Sequence, residues 1–101
     1  MKELTVIDVL RLDQVTQLID VRERDELDAG MIVRAVSLPM SEIGFRLGEL
    51  DLSRPIVAVC QSGRRSASVA ITLTEAGFAC ATMAGGMIQW AAEGLPVVHR
   101  R

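Results

Sequence analysis

The segment Ile56-Val57-Ala58-Val59-Cys60-Gln61-Ser62-Gly63-Arg64-Arg65-Ser66-Ala67 (IVAVCQSGRRSA) changes character twice within a short stretch of chain. Residues 56–59 are continuously apolar and mostly β-branched, which is typical of a central parallel strand covered on both faces. A cysteine, a glycine and two arginines follow, and residues 66–76 then predict a largely apolar helix. The segment therefore predicts a strand, a short loop and a helix, with Cys60 at the strand's carboxyl end, where parallel sheets bind ligands.

Strand-like and helix-like segments alternate along the rest of the chain. The patterns predict strands at residues 17–21, 34–38, 56–59 and 78–82, and helices at 23–29, 42–50, 66–76 and 87–92. Ser41 and Ser66 are candidate N-caps, and Gly77 is a candidate helix stop. This alternation predicts an α/β fold, with a small, mainly parallel β-sheet flanked by helices on both faces.

Length and charge limit the function classes. The chain has 101 residues, half of them hydrophobic and only 3% aromatic, so residues 1–101 predict a single domain with an aliphatic core. The net charge is −2, and the basic end His99-Arg100-Arg101 is too short to form a nucleic-acid-binding arm. Nucleic acid is therefore not an expected partner.

The sequence also gives no reason to expect a membrane partner. No apolar run approaches the roughly 18 residues that a membrane span needs, and no signal-peptide pattern follows Met1. The expectation is a cytoplasmic protein. Two cysteines, Cys60 and Cys80, are too few for a disulfide framework, so both are expected to be thiols.

The loop after Cys60 has the composition of a site for a reactive thiolate. Backbone N–H groups of a short loop leading into a helix can form an anion-binding nest, and the helix N-terminus, Arg64 and Arg65 add positive charge. All of these favour a thiolate, the nucleophilic form of cysteine. The alternative is that Cys60 is a small core residue beside solvated arginines. The combination of Cys60, Gly63 and two arginines between strand and helix favours the nucleophile.

Four segments together resemble the rhodanese family of sulfurtransferase domains, and the resemblance spans about Leu18 to Val97. The loop at residues 60–65 matches the family's C-x-x-G-x-R, and residues 18–23 (LIDVRE) match its L-I-D-V-R-E strand. Residues 29–38 resemble A-G-H-I-x-G-A-x-x-I, and residues 85–96 resemble the closing G-G-x-x-x-W-x-x-x-G-L-P. Met31 and Arg34 depart from the third pattern, where His and Gly are usual, so no role of that His carries over.

The resemblance implies a ping-pong sulfur transfer. Cys60 would attack the sulfane sulfur of a small anionic donor, such as thiosulfate or a persulfide, and carry it as a persulfide to cyanide, a thiol or a sulfur-carrier protein. The N–H groups of residues 61–65 would surround the terminal sulfur, and the arginines would hold the oxyanion end of the donor. The donor-binding set is then Gln61, Ser62, Gly63, Arg64 and Arg65. No metal or organic cofactor is implied.

Two other functions remain open. One is an interaction or persulfide-relay module with little thiosulfate turnover. The other is a phosphatase or arsenate reductase that uses the same thiolate. Phosphatases related to this family have a C-x5-R loop, whereas Cys60 and Arg65 are spaced as C-x4-R, which favours sulfur over phosphate.

Five further features have structural interpretations. Asp20 and Arg22 are more consistent with a buried ion pair than with an active-site wall. Cys80 is expected to be a core residue rather than a resolving thiol, and Trp90 is expected to anchor the last helix. The acidic residues of 23–28 are expected to form a solvated helix face.

Overall fold

Strand β4 (Ile56–Val59) lies at the centre of a five-stranded parallel sheet in the computed structural model, which describes residues 1–99. Arg100 and Arg101 of the basic end lie outside the described residues. The other elements are β1 (Lys2–Leu4), α1 (Val6–Leu10), β2 (Gln17–Asp20), β3 (Val36–Ser37), α2 (Arg64–Glu75), β5 (Cys80–Met83) and α3 (Gly86–Ala92). The strand order is β1-β5-β4-β2-β3.

Alternate side chains of β4 enter two separate hydrophobic clusters, one on each face of the sheet. Ala58 and Cys60 lie in a cluster with Val69 and Leu73 of α2. Val57 and Val59 lie in a cluster with residues of α1 and α3, including the fully buried Trp90. Every residue of β4 is buried, as expected for a strand covered on both faces. The predicted α/β class, with helices on both sides of a parallel sheet, is confirmed.

The predicted helix at residues 23–29 is a 3-10 helix, Arg24–Ala29. The predicted helix at residues 42–50 is wrong, because the chain forms two short 3-10 turns there, Ile43–Phe45 and Leu47–Glu49. Gly44 and Gly48 weaken a continuous helix in this segment. Ser41 is not an N-cap, since its hydroxyl donates to Glu23 Oε1 at 2.7 Å.

Both ends of α2 differ from the prediction. The helix begins at Arg64 rather than residue 66, and Gly63 precedes it with φ of +97°, a conformation that glycine adopts at low cost. At the other end, the backbone N–H of Phe78 donates to Leu73 O at 2.9 Å. This bond closes the helix, which ends at Glu75, around the predicted stop Gly77 (φ of +100°), and β5 begins at Cys80 rather than at residue 78.

The sequence analysis missed the first two elements, although the chain carries a signal for α1. Thr5 Oγ1 accepts from the backbone N–H of Asp8, and the Asp8 carboxylate accepts from the N–H of Thr5. This is a capping box formed by Thr-x-x-Asp. Strand β1 has three residues and pairs only with β5, so its pattern is too short to detect. No helix within residues 1–99 has the length and apolarity needed to cross a membrane.

The predicted ion pair between Asp20 and Arg22 is confirmed, and it is fully buried. Arg22 Nη2 lies 2.8 Å from Asp20 Oδ2, and the two side chains are 1% and 0% exposed. The guanidinium also donates to Gly30 O at 2.9 Å and, at 3.4 Å, to Glu26 O. One buried cation therefore holds the 3-10 helix that follows β2 against the end of that strand.

We predict that Asp20→Asn lowers the free energy of unfolding by about 3 kcal/mol or more, because it leaves the Arg22 charge buried without its counter-ion. Urea unfolding followed by Trp90 fluorescence measures this loss. Glu42→Gln is the control: it weakens the surface pairs of Glu42 with Arg24 and Arg46 and is expected to cost about 1 kcal/mol or less. Equal losses in the two variants would contradict the role assigned to Arg22.

Candidate active site

Cys60 lies directly after β4, and its thiol receives hydrogen bonds from the loop that follows. The backbone N–H groups of Gly63 and Ser66 lie 3.1 Å and 3.2 Å from Cys60 Sγ. Cys60 has no exposed surface. Main-chain donors aimed at sulfur stabilise a negative charge there, and they remain in place because they belong to a strand–loop–helix turn.

A buried pair of hydroxyl groups lies beside the thiol. Ser66 Oγ is 3.3 Å from Cys60 Sγ and 2.6 Å from Thr82 Oγ1, which belongs to the neighbouring strand β5. Both residues are at most 1% exposed. A hydroxyl is both donor and acceptor. Ser66 can therefore donate to a thiolate while accepting from Thr82, or accept from a thiol while donating to Thr82.

The first turn of α3 binds the start of the Cys60 loop. The N–H of Met87 donates to Cys60 O at 2.9 Å, and the N–H of Ile88 donates to Gln61 O at 3.0 Å. Gly86 makes this approach possible, since a Cβ there would lie 2.6 Å from Cys60 O and would also overlap Gln61 O. The loop is thus held from two sides, by α3 at its start and by α2 at its end.

Several polar groups of the loop remain available to a ligand. The backbone N–H groups of Gln61, Ser62, Arg64 and Arg65 donate to no other residue among those described. Gln61 and Ser62 are exposed, and Gln61 Oε1 accepts a 3.4 Å hydrogen bond from Arg22 Nη1. The loop therefore combines a thiol that accepts hydrogen bonds from the N–H groups of Gly63 and Ser66 with other N–H groups that have no partner among the described residues.

The two arginines of the loop have different surroundings. Arg65 forms a bidentate ion pair with Glu26, with Nη–Oε distances of 2.6 Å and 2.7 Å. The hydrogen bond from Arg65 lowers the pKa of Glu26 to about 2, and the Glu26 partner raises the pKa of Arg65. Arg64 is exposed and forms no ion pair within residues 1–99.

The structure brings all six predicted site residues, 60–65, together in the loop after β4 and the first turn of α2. Their roles in binding a donor stay a prediction. The sequence analysis missed three residues that shape this site, Glu26, Thr82 and Gly86, and its assignment of Ser66 as an N-cap is wrong, because Gly63 is the N-cap and Ser66 lies within α2. Adjacent glycines at 85–86 were a signal for a close backbone approach. The prediction that Glu26 is solvated is wrong, because Glu26 pairs with Arg65 and an acidic run in the sequence does not indicate such a partner.

Cys80 is a core residue, as predicted, and it lies too far from Cys60 to form a disulfide with it. It is buried, and burial raises the pKa of its thiol to about 12. Cys80 is aligned with Ile56, at the opposite end of β4 from Cys60. Four residues of strand separate the two Cα atoms by roughly 13 Å, whereas a disulfide needs Cα atoms closer than about 7 Å.

A groove of about 760 Å³ lies at the end of the sheet opposite the Cys60 loop. Its lining includes Lys2, Pro55, Phe78 and Cys80, at the amino ends of the central strands. Its one thiol is the unreactive Cys80. This groove therefore offers no reactive thiol, and the Cys60 loop remains the predicted site of the chemistry. Within the same residues, no group of three or more His, Cys, Asp or Glu side chains is arranged to bind a metal ion.

The family model for the rhodanese-like domain matches residues 7–93. The chain belongs to the rhodanese-like domain family. A rhodanese-like domain protein of Staphylococcus aureus superposes with a TM-score of 0.89 at 30% identity, and the match covers 100% of both chains. A rhodanese-related protein of Thermoplasma volcanium superposes with a TM-score of 0.91 at 28% identity, over 97% of this chain and 98% of that one.

Curated relatives extend the match to named proteins. The putative sulfurtransferase YtwF of Bacillus subtilis is 39% identical over 87 residues, which cover 86% of this chain and 84% of that protein. A sulfurtransferase of Allochromatium vinosum is 39% identical over 82 residues, covering 80% of this chain and 77% of that protein. The thiosulfate sulfurtransferase GlpE of Shewanella oneidensis is 29% identical over 92 residues, covering 88% and 91% of the two chains.

The two departures from the rhodanese pattern, Met31 and Arg34, form their hydrogen bonds with described residues outside the Cys60 loop. Met31 is buried, and its backbone pairs with Val98 in an antiparallel bridge. Arg34 donates to Leu12 O at 3.1 Å and to Thr16 O at 2.6 Å. Arg34 thus joins the segment after α1 to the start of β2. The start of β2 lies at the end of the sheet opposite the Cys60 loop. The bonds of both residues are structural.

We predict that Gly86→Ala destabilises the domain by about 2 kcal/mol more than Gly94→Ala. Both glycines have positive φ, so both substitutions carry the left-handed strain of about 1 kcal/mol. Only the Cβ at position 86 meets the loop backbone, while position 94 has no atom within 4 Å. Urea unfolding of both variants measures the difference. A Gly86→Ala variant as stable as Gly94→Ala would contradict the close contact between α3 and the Cys60 loop.

We predict that Ser66→Ala slows alkylation of Cys60 by iodoacetamide about tenfold at neutral pH. It removes a hydroxyl donor to the thiolate, and a hydrogen bond to a charged group contributes about 1.5 kcal/mol or more. Thr82→Val should slow alkylation by a smaller factor, because Thr82 acts through Ser66. Ser68→Ala, an exposed serine of the same helix, is the control. Unchanged alkylation in Ser66→Ala would show that the hydroxyl pair does not act on the thiol.

Proposed function

We propose that this protein is a sulfurtransferase in which Cys60 carries a sulfane sulfur as a persulfide. The observation that carries the proposal is the set of hydrogen bonds to Cys60 Sγ from two backbone N–H groups and its contact with the Ser66 hydroxyl. A thiolate, the attacking form, gains from all three. The unpaired N–H groups of Gln61, Ser62, Arg64 and Arg65 are suited to a second sulfur atom with one negative charge.

In the first half-reaction the Cys60 thiolate attacks the terminal sulfur of the donor. A sulfur–sulfur bond forms to Cys60, and the donor's own bond to that sulfur breaks. The leaving group departs with the bonding electrons, as sulfite from thiosulfate or as a thiolate from a persulfide. The donor supplies its sulfur at the sulfane oxidation level and is itself reduced, so formation of the Cys60 persulfide needs no separate oxidant. The full burial of Cys60 favours donors that present a single terminal sulfur atom.

In the second half-reaction a nucleophilic acceptor attacks the outer sulfur of the Cys60 persulfide. The bond between the two sulfurs breaks, and Cys60 leaves as a thiolate, which the loop stabilises again. Cyanide would yield thiocyanate, and a thiol or the thiol of a sulfur-carrier protein would yield a new persulfide. Because Cys80 is remote and protonated, the acceptor has to be a second molecule.

The names of relatives support donors and acceptors of this class. GlpE of Shewanella oneidensis is named for thiosulfate. A putative sulfur carrier protein of Bacillus subtilis, YrkF, is 36% identical over 66 residues, which make up 36% of its length. The second candidate, a relay module that exchanges persulfide with a partner and turns over little thiosulfate, uses the same Cys60 step and differs in its donor.

We predict that incubation with thiosulfate or a persulfide donor adds one sulfur atom to the wild-type chain, and that cyanide removes it as thiocyanate. Cys60→Ala should gain no sulfur, because the attacking thiolate is absent. Cys80→Ala should load like the wild type, because that thiol takes no part. Intact mass and thiocyanate release are the readouts.

Each outcome of the loading experiment decides between functions. Loading from thiosulfate with many turnovers supports the enzyme, and loading from persulfides alone supports the relay module. Loading of Cys60→Ala, or no loading from any donor, would overturn the proposal. In the latter case hydrolysis of a phosphate ester tests the phosphatase alternative.

A further inference from the structure

The charges around the Cys60 loop are nearly balanced, which is unexpected for a site that would take a doubly charged donor. Arg22 and Arg24 follow β2, and Arg64 and Arg65 begin α2. Three of these four arginines are paired, with Asp20, Glu42 and Glu26 respectively for Arg22, Arg24 and Arg65. A fourth carboxylate, Glu23, accepts from Ser41. Of these four arginines, Arg64 alone has no carboxylate partner among the described residues.

Glu26 is the carboxylate that changes the loop itself. Both Nη atoms of Arg65 are bound by its two oxygens, so Arg65 cannot offer this side of its guanidinium to a donor. Glu26 Oε2 is also fixed by the backbone N–H of Glu23 at 2.8 Å. Its pKa of about 2, lowered by Arg65, keeps it charged throughout the working pH range. A permanent negative charge thus lies beside the loop.

We infer that Glu26 is a specificity-determining residue that matches the site to sulfur donors with one negative charge at the reacting end. Such donors are alkyl persulfides and thiosulfonates, whereas thiosulfate carries two charges. The inference rests on the proposed function, because it concerns the donor of the same Cys60 loop. Arg64 and the unpaired N–H groups balance one negative charge, and Glu26 both repels a second and withholds Arg65 from it.

Two donors of nearly equal shape isolate this effect. Methanethiosulfonate differs from thiosulfate by a methyl group in place of one charged oxygen. Thiosulfate transfers its outer sulfur to Cys60 and leaves as sulfite, and methanethiosulfonate transfers the same sulfur and leaves as methanesulfinate. Each step forms one sulfur–sulfur bond and breaks another, with the electron pair leaving on the released anion. The reacting sulfur is thus the same, and the charge differs by one.

The experiment measures kcat/KM for both donors in the wild type, in Glu26→Gln and in Asp25→Asn. Glutamine keeps an acceptor for the N–H of Glu23 but removes the charge. Asp25→Asn removes a neighbouring exposed charge of the same 3-10 helix without releasing Arg65. We expect Glu26→Gln to raise kcat/KM for thiosulfate about fivefold, mainly through KM, and to change methanethiosulfonate less than twofold. Asp25→Asn should change neither by more than about twofold.

Two results in the variants would overturn the inference. An equal fall in kcat/KM for both donors in Glu26→Gln would show that Glu26 has only a structural role. If Asp25→Asn raised kcat/KM for thiosulfate as much as Glu26→Gln does, the effect would come from the general electrostatic field and not from release of Arg65. Thermal unfolding of each variant separates these results from misfolding. If Glu26→Gln does not fold, the wild type still tests the donor preference, because the inference requires a KM about tenfold higher for thiosulfate than for methanethiosulfonate. Equal KM values for the two donors would overturn the inference.

Inert anions separate this inference from the proposed function. Sulfate and methanesulfonate have the same charge difference but no sulfur to transfer, and both can protect Cys60 from iodoacetamide. We expect methanesulfonate to protect Cys60 of the wild type at a lower concentration than sulfate does. In Glu26→Gln, we expect sulfate to protect Cys60 at a lower concentration than it does in the wild type. If no donor loads Cys60, the proposed function fails, while this protection order still supports or overturns the role of Glu26.

Discussion

The buried ion pair between Arg22 and Asp20 is the interaction on which the site depends. The guanidinium lies 2.8 Å from Asp20, which ends β2, and it donates to backbone carbonyls of the 3-10 helix that follows. It also reaches the side chain of Gln61 in the Cys60 loop. A buried charge is costly unless it is paired and hydrogen-bonded. These partners therefore have one low-energy arrangement, and that arrangement sets the position of the 3-10 helix that carries Glu26.

The Cys60 loop is held by backbone rather than by side chains. Its carbonyls accept from the first turn of α3, and its N–H groups bind the thiol or remain unpaired. Main-chain bonds of this kind tolerate changes in the exposed loop residues, because they need only the glycines that permit close approach. The loop side chains are then free to set which donor is accepted, while the thiol keeps the same surroundings.

The sequence predicts the central strand, the loop and α2 well because their signals are local. A continuous apolar run, a cysteine at its end and a glycine before a helix each have few alternative conformations. The failures have two physical sources, local glycines that outweigh helical spacing and contacts between residues far apart in the sequence. Residues 42–50 have helical spacing but contain Gly44 and Gly48, and β1 is stable only because β5 lies beside it. Glu26 and Thr82 became part of the site through residues 39 and 16 positions away, and a single sequence does not show such pairings.

The distance between the two cysteines has a consequence for the lifetime of the loaded protein. Cys80 is aligned with the far end of β4 and lies on the order of 13 Å from Cys60 along the sheet. On the proposed mechanism, no thiol of the same chain can collapse onto the persulfide to release sulfide and form an internal disulfide. Discharge is then a bimolecular event, so its rate is proportional to acceptor concentration. A molecule of this design stores sulfur for as long as the acceptor is scarce.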